Sequence, residues 1–164
     1  MGGHTLLVLV LVSAALVVLS TAEEIGAVNS FKVIGRVYCD TCQCGYETNI
    51  TTYITGAKVK LQCLDRINYR LKYEAEGETN ENGEYVIYVK GDKGDDMCDV
   101  SLVSSSLDGC DKVDTGRDRS RVSLTGYNGL VDEIRHANAM GFMINEPLGS
   151  CTMVLKQYQD NADV

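Results

Sequence analysis

Apolar and polar residues alternate with period two through most of the chain. Phe31, Val33, Val37 and Cys39 fall on one parity of the run 31–39, and Lys32 and Arg36 fall on the other. That is the pattern of a half-buried strand with Cys39 on its inward side. Beyond Gly56, the residues Ala57, Val59, Leu61 and Cys63 point one way, and Lys58, Lys60 and Gln62 the other. Tyr69, Leu71, Tyr73 and Ala75 form a third run. Asn82-Gly83 predicts a turn, with Tyr85, Ile87 and Val89 alternating behind it. Cys98, Val100 and Leu102 repeat the pattern, as do Val122 and Leu124. Short strands separated by Gly, Asn and Asp predict an all-β, single-domain sandwich or barrel of about seven strands. Residues 130–140 are expected to hold one or two helical turns. The polar tail is expected to fray from about residue 157.

The amino terminus has a different pattern. Leu6 to Leu19 is an uncharged run, apolar except for Ser13. It is shorter than the roughly 20 residues of a spanning helix. Small side chains follow at Ser20 and Ala22, two apart, as a signal peptidase requires. Residues 1–22 therefore read as a signal peptide cleaved after Ala22, and residues 23–164 as the mature domain. No second long apolar run follows. The product is expected in the extracellular space without a membrane anchor.

Secretion changes the meaning of the seven cysteines: Cys39, Cys42, Cys44, Cys63, Cys98, Cys110 and Cys151. In an oxidising compartment the default reading is disulfides, and an odd count leaves at least one over. Cys63 and Cys98 both sit on inward faces of predicted strands, so a bridge between them is expected to cross the core. Cys39 and Cys42 are three apart and point to opposite sides of an extended chain, so they should find different partners. Counting leaves the rest of the pairing open.

The run Phe31-Lys32-Val33-Ile34-Gly35-Arg36-Val37-Tyr38-Cys39-Asp40-Thr41-Cys42 resembles the pollen Ole e I-like family of secreted plant proteins. The segment from Gly56 to Cys63, the segment from Gly91 to Cys98, and Ala137 to Phe142 with Pro147 and Cys151 agree with it. The resemblance covers nearly all of the mature chain. It implies the disulfides Cys39–Cys110, Cys42–Cys151 and Cys63–Cys98. It also implies a role in pollen-tube or tissue growth, and allergenicity. Ile34, Gln43 and Cys44 depart from the family pattern. Cys44, left without a partner, is expected as a free thiol or as the link of an intermolecular dimer; otherwise the protein is a monomer. A second likeness, Gly-Ala-x-Val-x-Leu followed by residues 79–85, resembles transthyretin-like sandwiches and supports an immunoglobulin- or transthyretin-like architecture.

Candidate chemistry is sparse. The formal charge of −8 argues against nucleic-acid binding. Cys39-x-x-Cys42 is the spacing of a thiol-disulfide redox pair, but a β-run precedes it where a catalytic pair needs a helix N-terminus. Cys39, Cys42 and Cys44 lack a fourth ligand for a metal, and no cofactor is expected. Asp92, Asp95 and Asp96 lack the spacing of a calcium loop and read as a solvated turn. His136 is the one histidine of the mature domain, and no Gly-x-Ser-x-Gly elbow accompanies it. No catalytic residue is expected. Asn49-Ile50-Thr51 is an N-glycosylation sequon. Arg117, Arg119 and Arg121 would share one face of a strand, either solvated beside Asp114 and Asp118 or meeting an acidic wall polysaccharide. The expected function is recognition, with a receptor ectodomain or a cell-wall polysaccharide as partner. A redox protein using Cys39 and Cys42, or a protease inhibitor, is the alternative.

Overall fold

The longest alternating run becomes the longest strand. In the computed structural model, which describes residues 30–160, β1 (Ser30–Asp40) sends Phe31, Val33, Val37 and Cys39 into the core. The expected signal segment, its cleavage after Ala22 and residues 161–164 lie outside the described residues. Four strands bond to β1. Its first half pairs antiparallel with β5 (Glu84–Lys90) and parallel with β9 (Ile134–His136). Its second half pairs antiparallel with β2 (Thr52–Tyr53) and parallel with β10 (Met140–Met143). With β7 (Lys112–Val113) on the far side of β10, these six strands form one sheet.

The second sheet runs β4 (Leu71–Glu78), β3 (Lys58–Asp65), β6 (Asp96–Ser104) and β8 (Arg119–Val122). Val59, Leu61 and Cys63 of β3 and Cys98 and Val100 of β6 meet Tyr85, Ile87 and Val89 of β5 in the same core. Period-two burial on both sheets yields a sandwich. Ten strands occur among the described residues, against about seven expected. Three of them, β2, β7 and β9, are only two or three residues long. Alternation cannot register in so few positions.

Beyond residue 129 the secondary structure departs from expectation in two places. Residues 130–140 are not helical; they hold β9 and its flanks. The free edge of β1 captures this segment: Lys32 N–H donates to Glu133 O at 3.0 Å, and Ala137 N–H to Ile34 O at 2.8 Å. The tail expected as frayed from about 157 carries a helix, α1 (Cys151–Asp160), through residue 160. Met153 and Val154 N–H donate to Ser150 O, and Cys151 and Val154 are buried.

The disulfides are Cys39–Cys110, Cys42–Cys151 and Cys63–Cys98. The third does not cross between sheets. Cys63 and Cys98 are directly opposed on neighbouring strands β3 and β6, with Cα atoms 4.0 Å apart. The inward parity of both residues was legible; that they share one sheet was not.

Two glycines on this frame admit tyrosine rings. Gly35 lies opposite Tyr85, and Gly141 opposite Tyr38. A Cβ at Gly35 would stand 2.9 Å from Tyr85 Cε1, and one at Gly141 would stand 2.7 Å from Tyr38 Cζ. In each pair the ring fills the space a side chain would take, the aromatic cover that strand glycines call for. The Tyr85 hydroxyl is buried with no hydrogen-bond partner among the described residues, and burial holds its pKa well above the ordinary phenol range.

Two outcomes follow. Replacing Cys63 and Cys98 together by alanine should lower the melting temperature sharply. Closing a 35-residue separation is worth about 3.8 kcal/mol in the chain-entropy treatment, and an unchanged melting curve would contradict it. Tyr85→Phe removes only an unpaired polar atom. Urea unfolding should show equal stability or a gain of about 1 kcal/mol; a loss of that size would mean that the hydroxyl is satisfied.

Candidate functional site

The two ends of the sandwich differ in kind. At the end where β1 finishes, Asp40 organises the turn after it. Its buried carboxyl accepts Cys42 N–H at 3.2 Å through Oδ1 and Gly45 N–H at 2.6 Å through Oδ2. Oδ1 also accepts from Cys44 Sγ at 3.6 Å, and the same thiol reaches Tyr46 O at 3.4 Å. Cys42 ties this turn to α1, and Cys39 ties β1 to Cys110. Cys39 and Cys42 thus bond to separate partners and do not form the mutual disulfide that a redox pair cycles through. Asn49 is exposed in the turn 48–51, whose Thr51 hydroxyl accepts Thr48 N–H at 2.8 Å.

Three loops meet at the other end, where β1 begins. They are the β3–β4 hairpin 66–70, the β5–β6 turn 91–95 and the β8–β9 segment 123–133. Asp92 joins the second to the third: its carboxyl accepts Gly94 N–H at 2.7 Å, Gly126 N–H at 2.8 Å and the Thr125 hydroxyl at 2.9 Å. Those backbone donors, Gly126 first, hold its pKa below the ordinary carboxylate range. Lys72 joins the first to the base of β6, reaching Asp65 at 2.9 Å and Asp96 at 3.1 Å. Lys72, with the N–H groups of Asn68 and Ile67, lowers the Asp65 pKa to about 2. Arg135 pins both legs of the third loop. Its buried guanidinium donates to Ser123 O and Thr125 O at 3.0 Å, and to the carbonyls of Asp132 and Ile134. It also lies over the Phe31 ring, 4.8 Å from the centroid.

On this braced base the loop tips are apolar. Ile67 is 90% exposed, Tyr69 67%, Tyr127 90% and Val131 100%, with Leu130 beside them. Tyr69 has φ +57°, a left-handed conformation that is strained for a bulky residue. Its N–H bonds to Asp65 O at 2.9 Å, so the tip is a closed turn and not the extended segment a protease would bind. Arg66 and Arg70 flank the tip and form no ion pair among the described residues. An open cleft of about 670 Å³ runs between Lys72, Lys93, Asp92 and Tyr127.

The remaining sequence candidates are dispersed. Arg119 and Arg121 share the outer face of β8, but Arg121 is held by Asp99 through Nε and Nη2. Arg117 lies in the preceding turn, so the expected three-arginine face does not form. Asp95 lines the cleft without joining the Asp92 network. His136 is exposed on β9. Alternation assigned Tyr69 to the third strand run, whereas it stands in the turn before β4, and it pointed to no other loop tip. The available signal was Ile67, Tyr69, Tyr127 and Val131 standing in turns where polar residues are usual.

Cys44 is unpaired and half-buried. Burial, with Asp40 alongside, raises its thiol pKa, which lowers the thiolate fraction at neutral pH. The native protein should therefore carry one slowly alkylated thiol per chain, its rate climbing with pH beyond the ordinary thiol range. Cys44→Ser should leave the melting temperature nearly unchanged. Rapid alkylation at pH 7, or a disulfide-linked dimer on a non-reducing gel, would reject this.

The model of the family "Pollen protein Ole e 1 like" matches residues 29–159. "Pollen allergen Che a 1" of Chenopodium album is 44% identical over 151 residues, covering 90% of each chain. "Protein DOWNSTREAM OF FLC" of Arabidopsis thaliana is 39% identical over 155 residues, covering 94% of this chain and 93% of that one. The crystal structure of the major plantain pollen allergen Pla l 1 superposes with a TM-score of 0.66 at 29% identity, covering 74% of this chain and 99% of that one. A disulfide-stapled sandwich, matched along nearly its whole described length by pollen proteins of the same architecture, belongs to the Ole e 1-like pollen protein family.

Proposed function

We propose that the chain is a secreted, non-enzymatic recognition protein whose three-loop end docks on a receptor ectodomain during pollen-tube or tissue growth. The carrying observation is the exposure of Ile67, Tyr69, Tyr127 and Val131 on loops held rigid by Asp92, Lys72 and Arg135. Exposed tyrosines beside arginines have the composition of interface anchors, and the aliphatic tips add apolar area beside them. Pre-organised loops lose little entropy on binding. The signal-like segment 1–22 and three disulfides support secretion. Asn49, at the opposite end, is the proposed glycan site, so a glycan there leaves the loops clear. The names of its relatives place pollen allergens in the same family, and allergenicity is proposed for this chain on that ground. A polysaccharide reading on the β8 arginines has less support, since Asp99 already occupies Arg121.

The test is affinity capture from plasma-membrane and wall extracts of pollen, using the intact secreted protein. A membrane-protein ectodomain should be retained. Ile67→Asp and Val131→Asp should each weaken retention by tenfold or more, in line with the roughly 2 kcal/mol of an interface anchor. Both side chains are exposed, so folding should be unaffected. Retention of wall polysaccharide alone, or capture indifferent to both substitutions, would reject the proposal.

A further inference from the structure

Two tyrosines from distant parts of the chain face each other, one four residues after Cys42 and the other on the helix that Cys151 begins. Gly45 has φ +82°, and its N–H is held by Asp40; this turn directs Tyr46 toward α1. On α1, Tyr158 lies seven residues after Cys151, which puts it on the same face two turns further along. The ring centroids are 5.8 Å apart with 60° between the planes. Among the described residues this is the one aromatic pair in ring-to-ring contact. Packing alone would place both rings inward, but Tyr46 is 39% exposed and Tyr158 40%. Each ring therefore packs against the other and still presents an edge to solvent.

We propose that Tyr46 and Tyr158 are an oxidative cross-linking site, coupled within one chain into dityrosine by a haem peroxidase using hydrogen peroxide. Each phenol loses one electron and one proton, and one peroxide takes up both pairs to become two waters. The two phenoxyl radicals join through ring carbons ortho to oxygen. The hydrogen on each of those carbons then moves to its oxygen and restores the phenol. One carbon–carbon bond forms, and the protein loses two hydrogens. Proximity makes the second radical an intramolecular partner at high effective concentration. Tyr69, Tyr88 and Tyr127 are more exposed but have no facing ring, so they couple only between molecules. The cross-link would hold α1 at a second point that reduction cannot open.

The experiment treats dilute folded protein with peroxidase and hydrogen peroxide, followed by deglycosylation, reduction and trypsin. Peptides 37–58 and 157–164 should appear joined, lighter by two hydrogens than their sum, with dityrosine fluorescence in the monomer fraction independent of protein concentration. Peptide 37–58 also contains Tyr38 and Tyr53, so Tyr46→Phe and Tyr158→Phe identify the coupled rings. Both variants keep an aromatic ring in place, and each should abolish the product. The proposal is overturned if no dityrosine forms, if it forms only in dimers and larger species, or if it survives in either variant.

Discussion

Everything in this fold rests on the hydrogen bonding of one strand. Strand β1 has two edges, and each must be filled along its length, because a buried backbone group without a partner is costly. Strands β5 and β2 fill one edge, and β9 and β10 fill the other. This explains why three very short strands persist: β2 and β9 complete the edges of β1, and β7 extends the sheet beyond β10. It also explains why Gly35 and Gly141 sit where they do. A strand bonded on both sides cannot move aside, so the Tyr85 and Tyr38 rings need bare backbone to cross.

The same frame divides stiffness from contact. At one end two disulfides and the Asp40 carboxyl hold the turn and the helix. At the other, side-chain anchors brace three loops whose tips remain apolar and open. Asp92 and Arg135 bind groups of the loops around them, and Lys72 joins the end of β3 to the start of β6. Such wiring suits a surface that must keep its shape.

What could be read from the sequence follows from what period two reports. It placed β1, β3, β5, β6 and β8, and the inward side of Cys39, Cys63 and Cys98, because each has one buried and one wet face. It was blind to β2, β7 and β9, which are too short to alternate. It misjudged 130–140, where Leu130 and Val131 are apolar yet exposed and no helix buries them. It missed α1 because Cys151, Val154 and Tyr158 recur at helical spacing inside a polar tail. The loop tips stayed hidden for another reason: the carboxyl and guanidinium contacts that gather them join residues up to 34 positions apart.

The parallel pairing of β1 with β10 has a consequence for the order of assembly. The strand that leads the described chain is completed by residues 140–143, more than a hundred positions later. A chain folding from its amino terminus can build the β3–β4–β6 ladder and its 35-residue disulfide early. It must hold β1 half-paired until the last quarter of the chain arrives. Cys39 and Cys42, whose partners lie 71 and 109 residues away, remain oxidisable and adjacent throughout that wait. Long-range closure of this kind is slow, which leaves the region around Cys39, Cys42 and Cys44 open longest to mispairing.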